Sequence, residues 1–287
     1  MRSVLVQLGV LHSLTVVAAG VLGAQATTPA ARASAAASTA AAPPRGIVLA
    51  DLTWQEAERV LTPDALVVIP LGAQSKEHGP HLRLDNDFQL AEYFRARVLA
   101  AADVVVAPTV NYHFYPSFLE YPGSTHLQFE TAKDVIVDIV HSLAGYGPRR
   151  FYVLNTGVST ARPLAAAAEI LRAEGIYFSF TNILEVSGPA EASVRQQVRG
   201  THADEIETSM MLYMRPDRVD MSKAVKDDAE SRPGGLTRNP GNPGTYSPSG
   251  VWGDATLATR EKGRVVVEAM VEGVLKDIAA LRSMKTP

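Results

Sequence analysis

A chain of 287 residues with a net charge of −3 and no cysteine already closes off several chemistries. Near-neutrality argues against a nucleic-acid partner. The lack of cysteine removes disulfides, thiolate metal sites and cysteine nucleophiles, so any metal would have to be held by His, Asp and Glu.

In chain order, Met1–Ala26 sets one Arg before an apolar run that is interrupted by His12, Ser13 and Gly20 and ends in Ala24-Gln25-Ala26. That is the pattern of a secretory leader cut after Ala26, and the run is short for a membrane span. It implies export to the periplasm or the medium, with no membrane attachment after cleavage. Thr27–Arg45 is Ala, Ser, Thr and Pro with almost no bulky apolar residue, a disordered tether. The folded domain is expected over 46–287, about 240 residues, enough for one α/β domain.

Within it, apolar runs predict strands at Leu66–Leu71, Val104–Val106 and Arg150–Asn155, with a further strand or two inside Tyr177–Val186. Helical spacing predicts helices at Phe88–Ala101, Glu130–Ala144, Pro163–Glu174, Ala203–Met214 and about Leu257–Met284, after a first helix in which Trp54 packs inward. Leu236–Ser249, rich in Gly and Pro, reads as an irregular surface loop. Strands separated by helices imply a mainly parallel sheet covered on both faces, and sites in such sheets form beyond the carboxyl ends of strands.

Three polar segments lie in that position. Ser75–Asp87 (SKEHGPHLRLDND) follows the first of these strands and holds Glu77, His78, His81 and Asp87 around the Gly79-Pro80 turn. Glu77, His78 and Asp87 are candidate metal ligands; a solvated polar loop is the alternative. His113 and Tyr115 follow the second strand, and Asn155 and Ser159 follow the third. Downstream, Thr201 reads as a helix N-cap, with His202 and Glu205 three apart on one face and Glu207 beyond. Those acids either complement the helix dipole or face a site. Tyr112, Phe114, Tyr115, Phe118, Tyr121 and Trp252 either wall a pocket for a flat or cyclic amide or belong to the core.

Together these segments resemble the creatininase (creatinine amidohydrolase) family. Glu77-His78-Gly79-Pro80-His81-Leu82 with the later Asp87 is similar to its E-Q-H-G-P-H-L and downstream Asp. Tyr121-Pro122-Gly123-Ser124 is similar to F-P-G-T, His202–Leu212 to H-A-G-E-x-E-T-S-x-x-L, and Gly250–Gly263 to G-V-x-G-D-P-x-x-A-T-x-E-x-G. The resemblance implies a three-layer α/β/α fold, a homo-oligomer, and hydrolysis of a C–N bond in a small amide by one or two divalent ions, zinc or manganese. It implies Glu77, His78 and Asp87 as ligands, His202, Glu205, Glu207 and Lys76 as catalytic groups, and His81, His113, Tyr115, Asn155, Ser159 and Trp252 around the substrate.

The sequence departs from the family at three ligand positions. Lys76 stands where the Glu two before the His is expected, and Gly157 and Ser159 stand where the family has a His and a carboxylate. Three readings follow: a hydrolase with an altered, single-metal site; a non-catalytic binding protein that has lost ligands; and a metal-free acid/base enzyme built on Lys76 and Glu77.

Overall fold

The computed structural model describes residues 43–284. The expected leader, and the tether up to residue 42, lie outside these residues. Arg45, at the end of the expected tether, ion-pairs with Asp103 at 2.6 Å.

Five parallel strands form the central sheet: β1 Ile47–Val48, β2 Leu66–Leu71, β3 Val105–Val106, β4 Arg150–Asn155 and β5 Tyr177–Phe180, in the order β1-β3-β2-β4-β5. Every residue of β2 and β4 is buried. Alternate side chains feed two cores, which is why these strands read as unbroken apolar runs. Val68, Val106, Tyr152 and Leu154 face one core with helices α2 (Asn86–Ala101), α6 (Glu205–Met214) and α7 (Arg260–Ser283). Val67, Ile69, Phe151 and Val153 face the other, with α3 (Phe129–Ala144) and α4 (Ala161–Ala173). The fold is therefore the three-layer α/β/α sandwich expected.

Three expectations change, and one helix is added. Helix α1 (Trp54–Val60) reaches the core only through Ala57 and Val60, leaving Trp54 73% exposed rather than packed. Tyr177–Val186 is one edge strand followed by helix α5 (Ile183–Val194). The helix runs through Gly188 and Pro189 because Ile183, Val186, Ala190 and Val194 bury against the α7 core, a tertiary gain that outweighs local propensity. Helix α6 starts at Glu205 and is capped by Asp204, whose carboxylate accepts from the Ile206 and Glu207 amides, so Thr201 is not the cap. The Gly/Pro-rich stretch contains β7 (Leu236–Thr237) paired with β8 (Thr245–Tyr246), beside a second ribbon of β6 (Lys226–Asp227) and β9 (Gly253–Asp254). Among the described residues, no helix is long and apolar enough to cross a membrane.

Candidate active site

Strands β2 and β4 are hydrogen-bonded neighbours in register to their last residues, Leu71 and Asn155. The loops that follow them therefore emerge side by side. Gly72 permits the first loop to fold back, since a Cβ there would meet the Asp87 carbonyl oxygen at 2.3 Å. The return brings Asp87, in the first turn of α2, onto the loop it closes.

Asp87 sits at the centre of a buried charge cluster. Its Oδ1 lies 2.8 Å from His78 Nε2 and its Oδ2 lies 2.7 Å from Lys76 Nζ. The other ring nitrogen of His78 lies 2.9 Å from the Lys76 carbonyl oxygen. A second pair adjoins it: His202 Nε2 is 3.0 Å from Glu77 Oε2, and His202 Nδ1 is 3.5 Å from Glu207 Oε2. The Glu77 amide donates to Ser124 Oγ, and its carboxylate accepts from the Gly79 amide. Gly250 leaves room for that carboxylate, because a Cβ there would meet Glu77 Oε1 at 2.1 Å. The Phe118 ring lies 4.3 Å from the His202 ring, tilted by 42°, and also faces Lys76 Nζ, 4.8 Å from the ring centre.

Burial alone would neutralise Asp87, Lys76, Glu77 and His202, and pairing reverses it. Burial would raise the Asp87 carboxyl, but the Lys76 and His78 charges hold it well below the usual carboxylate range. Burial would lower Lys76, but Asp87 and Glu207 raise it. Glu77 is pulled down and His202 pushed up by their mutual bond and charge, each against the effect of burial. Lys76 with Asp87, and His202 with Glu77, thus form buried pairs rather than a solvated loop.

The chain enters α6 through Ala203, which has a φ of 47°. This left-handed residue costs a non-glycine side chain about 1–2 kcal/mol. It lies between His202, bridged to Trp252 in the backbone, and the helix. Glu207 turns back to accept from the Ala203 amide at 2.5 Å. His202 therefore lies before the helix, not on it, and the expected shared face with Glu205 does not exist. The Glu205 carboxylate points away and is held by the Gln196 and Gln197 amides and Lys262.

A cleft of about 300 Å³ opens onto this network, lined by Lys76, His202 and Glu207 together with Tyr115, Phe118, Thr156, Ser159 and Trp252. The other expected site residues divide. His81 is buried with Nε2 2.7 Å from Thr208 Oγ1, and burial lowers it to about 4. His113 is fully buried, likewise lowered to about 4 by burial, and does not line the cleft. Asn155 closes its own loop: its side chain donates to the Gly157 and Thr181 carbonyls and accepts from Thr160. Ser159 Oγ donates to the Phe114 carbonyl. Ser124, Gly250 and Asp204 shape the site without having been singled out for it. For Gly250 the signal lay in the Gly250–Gly263 motif itself.

Among the described residues, His78, His202 and Glu207 are the set of metal-type side chains whose ligand atoms all lie within 4.8 Å of one another. Glu77 and Asp87, expected as ligands, are not in it. Two imidazoles and a carboxylate fit one zinc- or manganese-type ion with a position left open. The ring nitrogens of His78 and His202 now face oxygen acceptors, so metal binding would displace a proton from each nitrogen that carries one.

Residues 50–278 match the family described as Creatininase: creatinine amidohydrolase. The chain is 27% identical to a creatinine amidohydrolase of Pseudomonas putida, over 80% of this chain and 95% of that one. It is 29% identical to a mycofactocin precursor peptide peptidase of Mycolicibacterium smegmatis, over 72% of this chain and 82% of that one. Its fold is similar to a solved manganese creatininase (TM-score 0.70, 24% identity, 83% of this chain and 100% of that one). A creatininase variant of Zn–Zn type scores the same, with 83% and 99% covered.

Proposed function

Because the chain belongs to the creatininase family, we propose that it hydrolyses a C–N bond of a small amide at the cleft beside Lys76, with one divalent ion. The observation that carries this reading is the convergence of His78, His202 and Glu207, of which His202 and Glu207 line the cleft. These three would hold the ion. When bound, it would supply Lewis acidity and a water of lowered pKa.

The chain's own groups do the rest. Asp87 fixes the His78 ring through its 2.8 Å contact, and Glu77 does the same for His202 at 3.0 Å, the outer-shell support that orients metal-binding histidines. With Nε2 facing Glu77 and Nδ1 facing Glu207, His202 has no ring nitrogen left to move a proton once it holds the ion. Glu205 is tied to Lys262 and takes no part. Phe118 and Tyr115 line the cleft with apolar surface, and Thr156 and Ser159, whose hydroxyls are held by backbone carbonyls, give it shape. A cleft of about 300 Å³ suits a small or cyclic amide, or the end of a peptide. The creatinine and peptide names of the relatives span that range.

One observation favours a second reading, a non-catalytic binding protein. The Lys76–Asp87 and His202–Glu77 pairs already neutralise carboxylates without an ion. Incubating the purified protein, zinc- or manganese-loaded and chelator-stripped, with creatinine, linear formamides and short peptides separates the two. Metal-dependent release of amine from any of them supports the hydrolase. No turnover, together with no bound metal, supports the binding protein.

A further inference from the structure

We propose that the Lys76 ammonium is a built-in cation standing where Asp87 would otherwise take a divalent ion. The chain then binds one ion fewer than the same pocket would hold without it. The inference refines the metal-site reading above, but the two fail separately.

The geometry around Asp87 carries it. A carboxylate has two oxygens, and here each already has a partner: Oδ1 has His78 Nε2 at 2.8 Å and Oδ2 has Lys76 Nζ at 2.7 Å. Asp87 is 1% and Lys76 5% exposed, so water is not available to screen the pair. Two aromatic faces close the other side of the ammonium, Phe118 at 4.8 Å and Tyr115 at 5.7 Å. This cradle favours a fixed cation. Lys76 has donors but no lone pair, so it cannot ligate an ion, and its charge repels one from the nearest carboxylate.

The distances between metal-type side chains point the same way. The set within 4.8 Å takes in His78, His202 and Glu207 but leaves out Asp87, although Asp87 touches His78. The adjoining loop offers no compensation: Gly157 has no side chain, and the Ser159 hydroxyl is committed to the Phe114 carbonyl.

The charge at position 76 should therefore set the ion count. Lys76→Glu replaces the ammonium with a carboxylate beside Asp87 and creates an oxygen-rich pocket for a second ion. Lys76→Gln removes the charge without adding an acid. Wild type and both variants would be titrated with manganese by equilibrium dialysis and analysed for bound metal at each free concentration up to saturation. Near-UV circular dichroism would check the fold, and electron paramagnetic resonance would detect neighbouring ions.

Lys76→Glu is expected to hold one manganese per chain more than wild type. Its spectrum should change from isolated to spin-coupled ions where wild type holds one. Lys76→Gln is expected to show the same gain at higher free manganese, and it decides the matter if Lys76→Glu does not fold. An unchanged count in a folded Lys76→Gln, or two ions in wild type, overturns the proposal. No ion in wild type with one in Lys76→Glu would sustain the role of Lys76 while sinking the single-ion hydrolase. One ion in both would do the reverse.

Discussion

The loops after β2 and β4 leave the same edge of the sheet side by side, yet they do opposite work. After β2, Lys76, Glu77, His78 and Asp87 are all buried and ionically paired, with each other or with His202. After β4, Asn155, Thr156 and Thr160 are just as buried but carry no charge. Their side chains are used up in closing their own turn and anchoring to Leu71. Position at a strand's carboxyl end therefore exposes a loop to the site without making it chemical. The charge-bearing half of this site comes from the β2 loop and from Thr201–Glu207, while the β4 loop supplies shape.

The sharpest way to break that contrast is to unpair the first loop. Asp87→Ala leaves the Lys76 ammonium buried without its partner and is expected to cost about 3–5 kcal/mol in urea unfolding. Adding Lys76→Met should recover part of the loss. Ser159→Ala, which removes one neutral hydrogen bond in the other loop, should cost only about 1 kcal/mol. Equal costs would mean that the β2 loop is not a charge-closed unit.

Asp204 sharpens the comparison on the α6 side. Burial, with the nearby Glu207 charge, raises its carboxyl from the ordinary 3.8 to about 6. The folded protein thus holds this proton more tightly than the unfolded chain. Stability falls as the pH rises from about 4 through 6, where the unfolded chain ionises first. Relative to Asp204→Asn, wild type should lose on the order of 2–3 kcal/mol between pH 4 and pH 7. Parallel curves for the two proteins would contradict the assignment.

A smaller effect is expected in the β4 loop. Asn155→Ala leaves the buried Gly157 amide without an acceptor, while Thr160 keeps its bond to the Gly157 carbonyl, and should cost about 1–3 kcal/mol. Metal affinity should not change; a weakened metal site would show that this loop carries chemistry after all. The smallest effect is at Ala203. Glycine adopts its φ of 47° without strain, but the Ala203 methyl is buried with Leu82, Met211 and Val251, so in thermal unfolding Ala203→Gly should change stability by less than about 1 kcal/mol.

Much of this was legible before any coordinates. Leu66–Leu71 and Arg150–Asn155 announced themselves as buried strands because both faces of the sheet are covered. His78 and Asp87 were expected to converge, and the Gly79-Pro80 turn marked where the chain folds back. What stayed hidden depends on contacts distant in sequence. The pull of α7 on α5 overrides Gly188-Pro189. The cap at Asp204 moves His202 off the helix and turns Glu205 toward Lys262. Lys76 was marked as the odd residue, but only its approach to Asp87 gives it a partner. Glu77 was expected beside His78 as a ligand, and it instead reaches across to His202, a residue 125 positions away in the chain.

The central claim is that His78, His202 and Glu207 bind one divalent ion. Calorimetric titration of the purified, chelator-stripped protein with zinc, in two buffers of different protonation enthalpy, tests it most directly. The account predicts one ion per chain, coupled release of protons, weaker binding as the pH falls, and loss of the site in His202→Ala and Glu207→Gln. Zinc bound with the same affinity by His202→Ala, or no binding by wild type, would contradict it.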